Sequence, residues 1–239
     1  MVYPIFITIA TLIVTTVLTV YIFPKIMPIF ESLHVPLPWS TLALIAVSDY
    51  LRHWGLWTLL GLILLGIVYI VLRVYRTDFR YRTDQLLFKL PFAGPIAKSY
   101  NLANFCRTMG LMLRSGLQIA VAMEITAETT TNLVYERSFT RIAECIRRGE
   151  PMSKQLAREP KLFPPIMTHM IAVGEKTGTL STTLTYLAEM YEAEVDDQTK
   201  NLSSSIEPAL MIVMGLLVGL IAVSVITPIY GITQHLTPK

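Results

Sequence analysis

Charge is scarce in this sequence, and over three long stretches it is missing. Asp, Glu, Lys and Arg make up 15% of the 239 residues, against roughly a quarter in an ordinary soluble domain. None occurs from Ile5 to Phe23, none from Trp54 until Arg73, and none from Ala209 to Tyr230. With 53% hydrophobic residues distributed so unevenly, a wholly soluble chain is excluded. Three spans of a bilayer core about 30 Å thick are predicted.

Other absences remove other classes. There are two cysteines, Cys106 and Cys145, both in the charged middle of the chain, so reduced thiols packed as small apolar groups are expected and a disulfide is not. No segment keeps a period-two alternation, which leaves no strands and an all-α fold. His34, His53, His169 and His235 are scattered, and no pair has metal-ligand spacing. Gly174-Glu175-Lys176-Thr177 lacks the Gly-x-x-x-x-Gly-Lys-Ser/Thr spacing of a phosphate loop and follows no strand, so a helix turn is expected there. Basic residues interleave with acidic ones without an aromatic stripe, so no nucleic-acid partner is expected from a net charge of +3. The acids from Glu189 to Asp197 read as a solvated face rather than a cation site.

The spans carry hydroxyls such as Thr11, Thr15 and Thr58, which bond to their own backbone, but no mid-bilayer ionisable group of the kind that transport or intramembrane proteolysis uses. No catalytic, metal or cofactor residue is expected, and the chain reads as a non-enzyme.

What is present falls into order around the spans. The expected divisions are residues 1–24, 54–74 and 207–230 as transmembrane helices, 25–53 as a periplasmic loop, 75–206 as a cytoplasmic antiparallel bundle of about six helices, and 231–239 as a periplasmic tail. Arg73, Arg76, Arg80 and Arg82 crowd the exit of the second span and place it in the cytoplasm, which puts Met1 inside and Lys239 outside. The first span has no basic region before it and no small-x-small cleavage site after it, so a retained anchor is expected rather than a signal peptide. In the loop, four prolines among residues 24–38 limit helix to a short piece near Ile26–Leu33, with Pro36–Pro38 extended. A separate interfacial helix is expected over Thr41–Arg52, with Trp39, Trp54 and Trp57 at headgroup level.

The second span is expected to continue as helix through Phe88. Helices follow over Ile96–Ser115, with Leu102, Phe105, Cys106 and Met109 inward, over Gln118–Thr129, with Val121 and Ile125 inward, and from an Asn132 cap to Arg148. On that last helix Arg137, Arg141, Glu144 and Arg148 face out, and Arg137 and Arg141 are candidate partner contacts. Ser153 is expected to cap a short helix through Glu159, and Phe163-Pro164-Pro165 to start the next.

Gly174 and Gly178 suit close-approach or left-handed positions in a turn over Gly174–Leu180, with Thr179 or Ser181 capping the helix that follows. On that helix Leu180, Leu184, Leu187, Tyr191 and Val195 form an inward stripe, while Glu192 and Glu194 face water or a partner. Glu207-Pro208 opens the last span at a first turn or a kink, and Thr227-Pro228 marks a second kink. Gly215 and Gly219 form a Gly-x-x-x-Gly pair, expected to pack against a neighbouring span of the same chain rather than a dimer seam.

The Gly174-Glu175-x-x-Gly178-x-Leu180 turn, Phe163-Pro164 before it, Tyr191-Glu192-x-Glu194-Val195-Asp196 after it and Glu207-Pro208 at the last span resemble the inner-membrane platform proteins of type II secretion systems, the general secretory pathway F family, and their type IV pilus counterparts. Leu90-Pro91-x-x-Gly94-Pro95 and Leu113-x-Ser115-Gly116-Leu117 are similar too, so the resemblance covers nearly the whole chain. It implies a scaffold in the bacterial inner membrane that couples a cytoplasmic assembly ATPase to pilin or pseudopilin polymerisation, beside other inner-membrane assembly proteins and as a homo-oligomer. Members carry two related helical domains, of which this chain contains the second. The alternatives from the residues alone are a small membrane transporter and a membrane-anchored adaptor.

Overall fold

The structure, a computed structural model, describes residues 2–17, 21, 28 and 39–236. Among them are nine helices and no strand: α1 (Val2–Thr16), α2 (Trp39–Tyr75), α3 (Thr77–Leu87), α4 (Ala93–Arg114), α5 (Ile119–Thr129), α6 (Leu133–Arg147), α7 (Met152–Leu156), α8 (Pro165–Thr177) and α9 (Leu180–Leu236). The chain divides into two compact units, Met1–Tyr69 with Ser203–Lys239, and Ile70–Leu202. The short helical piece expected near Ile26–Leu33, apart from Pro28, the extended Pro36–Pro38, residues 18–20 and 22–24 of the expected first span, His34 and Lys239 lie outside the described residues.

Among the described residues of the first unit, the hydrophobic side chains from Leu56 to Leu65 are exposed rather than packed in a protein core. Leu62, Ile63, Leu64 and Leu65 are each 52–69% exposed. Successive helical residues are turned by about 100°, so four in a row present apolar groups on nearly every side. A helix that is apolar all round needs an apolar solvent. Two stretches among the described residues, His53–Tyr75 and Leu180–Leu220, lie in helices long and apolar enough to cross a membrane. The expected separate helix over Thr41–Arg52 is absent: α2 is one helix of 37 residues, because no proline interrupts it after Trp39. Inside it the Thr58 hydroxyl donates to the Gly55 carbonyl at 2.9 Å, the back-bonding expected of hydroxyls in a span.

The second unit is built by α3 to α8 and the first turns of α9. Its centre is aromatic: Phe105 and Phe139 stack with centroids 4.7 Å apart, and Tyr135 meets Phe163 edge-on at 5.7 Å. All four are essentially fully buried, and the Tyr135 hydroxyl donates to the Leu162 carbonyl at 3.1 Å, so this large polar aromatic keeps a partner. Cys106 is buried in the same core and its thiol is pushed up by burial; both cysteines are free. Asn132 caps α6 by accepting from the Val134 and Tyr135 amides at 3.0 and 3.3 Å.

Local departures each have a cause. The helix expected to continue from the second span through Phe88 breaks at Arg76, whose backbone is extended (φ −117°, ψ 98°). The break lets α3 restart at Thr77 and bury Asp84 against α6. On α5 the buried face is Ala122, Met123, Thr126 and Ala127, while Val121 is exposed and Ile125 half-buried. This helix is apolar on both sides, and the alanine side lets α6 approach most closely. The short helix α7 ends at Leu156, not Glu159; Ser153 lies inside it rather than capping it, and the N-cap position is Pro151, which makes no side-chain cap bond.

Candidate functional site

The turn at the end of α8 is tighter and later than its sequence suggests. α8 continues through Gly174 to Thr177 and stops at Gly178, the one left-handed residue of the turn (φ 73°). The Gly178 and Thr179 amides both reach back to the Gly174 carbonyl, the latter at 3.0 Å, closing the helix end. Gly174 is instead the close-approach glycine. A Cβ there would lie 2.8 Å from Thr183 Oγ1 and 3.2 Å from Leu180 Cα, so only a bare backbone lets α8 and α9 cross at this point.

Glu175 supplies what α7 lacks. Its Oε1 accepts from the Met152 amide at 2.7 Å, and its Oε2 accepts from the Ser153 amide at 3.1 Å and from the Ser153 hydroxyl. The orphan donors of a helix start are thus satisfied by a carboxylate from another helix. Gly174, Glu175 and Leu180, which is buried, therefore lock α7, α8 and α9 together. Beside this junction lies an open groove of about 900 Å³ with Leu113, Ile119 and Ile146 on its walls and Lys154, His169 and Lys176 at its edge.

A second carboxylate with the same task escaped sequence reasoning. Asp84 is 1% exposed, and each oxygen is committed: Oδ1 pairs with Arg73 Nη2 at 3.0 Å, and Oδ2 accepts from the Leu133 amide, the first of α6, at 2.9 Å. A buried charge this far from water requires such partners. Arg80 donates to the Thr131 carbonyl alongside. The signal in the sequence was one of two acids, Asp78 and Asp84, set beside Arg80 and Arg82 on a short polar helix that follows Arg73 and Arg76.

The remaining candidates are not gathered into one site. Tyr191 belongs to the core of the bundle, with its hydroxyl lacking a partner. Glu192 is held by Arg107 in a two-bond pair, at 2.9 Å for Nε to Oε1, and Glu194 accepts from Gln198 at 3.1 Å. Arg137 and Arg141 are exposed as expected, yet each has an internal partner: Arg137 lies 4.4 Å from the Tyr81 ring centroid and Arg141 pairs with Glu159. In the other unit Pro208 lies inside α9 rather than in a first turn, and Glu207 is half-buried. Nothing comes within 4 Å of a Cβ placed on Gly215 or Gly219. Among the described residues no three metal-ligating side chains come together.

Comparison with known proteins places the chain in a family. The family described as type II secretion system (T2SS), protein F, matches residues 105–228. A type IV pilus assembly protein PilC of Thermus thermophilus is 35% identical over 240 residues, covering 99% of this chain and 58% of the relative. The type II secretion system protein F of Vibrio cholerae is 33% identical over 96% of this chain and 56% of its own length. A PilC of Pseudomonas aeruginosa is 30% identical, with 96% and 61% covered. The chain thus spans between 56% and 61% of these relatives. The bundle from Phe105 onward and most of α9 fall within the matched residues, and the chain belongs to the type II secretion system protein F family.

Proposed function

We propose that this chain is the platform portion of a type II secretion or type IV pilus assembly machine in the bacterial inner membrane. It is a non-enzymatic scaffold that couples a cytoplasmic assembly ATPase to the addition of pilin or pseudopilin subunits. Three helices cross the membrane, residues 75–206 form one bundle of about six helices in the cytoplasm, Met1 is inside and Lys239 outside. The observation that carries the reading is α9: its first turns hold core residues of the bundle, Leu184, Leu187 and Tyr191, and its later turns are apolar and exposed. One helix with both characters supports a lever that converts movement of the bundle into movement within the bilayer.

In this reading Glu207 and Pro208 mark the lever's entrance into lipid, Gly215 and Gly219 its close packing with a neighbouring helix or a second copy, and the Glu175 junction its fulcrum. Arg137 and Arg141 on α6, and Glu192 and Glu194 on α9, are the candidate positions at which a partner docks. The experiment is Gly178→Pro in cells that depend on this protein for secretion or piliation. Proline cannot adopt φ 73°, so the turn must open. Loss of assembly with the protein still membrane-inserted and ATPase-bound supports the lever; normal assembly refutes it.

A further inference from the structure

The bundle contains a second groove, separate from the Glu175 junction, whose chemistry the platform role does not use. Its volume is about 680 Å³ and it lies at the end of α2, where Arg73 and Val74 form part of its lining. Arg73, Arg80 and Asp84 line it together, and Arg73 is paired with Asp84. Both oxygens of the Asp84 carboxylate are engaged, by Arg73 and by the Leu133 amide, and the paired Arg73 balances its charge, which leaves Arg80 in excess. A guanidinium has five N–H donors. Arg73 donates Nη2 to Asp84 while its side chain remains 46% exposed, and Arg80 donates Nη2 to Thr131. The groove therefore carries one positive charge in excess and donors with capacity to spare. Asp84 also orients Arg73, which suits planar recognition of a phosphate.

The walls argue for more than a phosphate. Val74, Ile96, Ala97 and Leu202 are apolar, and Tyr100 lines the groove while 54% exposed, an amphipathic ring of the sort found where hydrocarbon gives way to headgroups. Arg73 is in the last turn of the apolar stretch His53–Tyr75, so the groove opens where that stretch ends. We propose that it binds the headgroup of an anionic phospholipid, with the phosphate between Arg73 and Arg80 and the glycerol and upper acyl carbons along the apolar wall. The proposal rests on the reading of α2 as a membrane span. Basic pockets at the end of a span are suited to such headgroups.

The test uses the full chain, purified in detergent and examined by native mass spectrometry with phosphatidylglycerol or phosphatidylcholine added. Wild-type protein is expected to retain phosphatidylglycerol preferentially. Arg80→Gln is expected to reduce that retention by about fivefold, the contribution of one basic side chain near an anionic surface, and Arg80→Lys to restore much of it. Arg82→Gln removes the same charge from an exposed position on the same helix that does not line the groove, and is expected to behave as wild type. Equal loss in Arg80→Gln and Arg82→Gln overturns the site in favour of general surface charge. Displacement of the lipid by equimolar inorganic phosphate overturns the lipid assignment in favour of phosphate alone. Helicity of each variant is measured alongside, and Tyr100→Ala, which leaves the ion pair intact, is expected to weaken retention through the wall; unchanged retention in both Arg80→Gln and Tyr100→Ala refutes the proposal. Flotation with phosphatidylcholine vesicles separately reports whether the chain enters a bilayer at all, so failure of the span reading is distinguishable from failure of the groove.

Discussion

Replacing Glu175 with alanine removes the acceptors of two amides and one hydroxyl at the start of α7. Hydrogen bonds to a charged group contribute about 1.5–3 kcal/mol each when both partners are withdrawn from water. Here the donors are part-buried, so water replaces much of what is lost, and the three bonds share one side chain. A total near 2 kcal/mol follows, comparable with removal of a strong helix cap. For a domain of this size that corresponds to a fall of roughly 6 °C in melting temperature. Glu175→Gln keeps one oxygen acceptor and loses the charge, so about half the effect is expected. The assay is thermal unfolding of the detergent-solubilised chain, followed by hydrogen exchange resolved to individual amides. The Met152 and Ser153 amides are expected to lose protection in Glu175→Ala before the core of α6 does. If Glu175→Ala melts with wild type and those amides stay protected while assembly fails, the carboxylate serves a partner and the capping account is refuted.

Gly174→Ala places a methyl against Thr183 Oγ1 and the Leu180 backbone; overpacking of about 2 kcal/mol, offset by about 1 kcal/mol of helix propensity, leaves a net loss in denaturant melts that Thr183→Ala partly recovers. Asp84→Ala strands Arg73 and the Leu133 amide and is expected to cost about 3 kcal/mol, seen as faster exchange at the start of α6, with Arg73→Gln non-additive in a double-mutant cycle. Cys106 is expected to resist maleimide in the folded protein while half-buried Cys145 reacts. Because burial raises the Cys106 thiol, the unfolded state loses that proton first as pH rises. Stability is therefore level below the ordinary thiol range and declines above about pH 8.5 by up to 1.4 kcal/mol per unit; Cys106→Ala flattens this slope.

The parts legible in the sequence were those set by neighbours along the chain. The Asn132 cap sits two and three residues from the amides it serves, and Gly116, Gly149 and Gly178 all take positive φ where a helical pattern stops. Of the stripe Leu180, Leu184, Leu187, Tyr191 and Val195, the first four are buried as the spacing requires and Val195 is half-buried. What was not legible depends on distant partners. Glu175 caps a helix more than twenty residues earlier and Asp84 one nearly fifty later, and no local rule connects them. The break at Arg76 follows from the same burial of Asp84, since an uninterrupted helix would carry that carboxylate elsewhere. On α5 hydropathy points to Val121 and Ile125, but the smaller Ala122 and Ala127 permit closer packing, so the buried face lies one residue further along.

The account stands on the bundle being the surface through which a motor acts on a membrane scaffold. A photo-activatable residue in place of Arg148, which is exposed at the end of α6, tests this in cells carrying the complete machine, together with the same probe at Arg137 and Glu189. A crosslink from at least one of these positions to the assembly ATPase, lost when the ATPase gene is deleted, is the expected result. Crosslinks from all three only to proteins of the periplasm would contradict it.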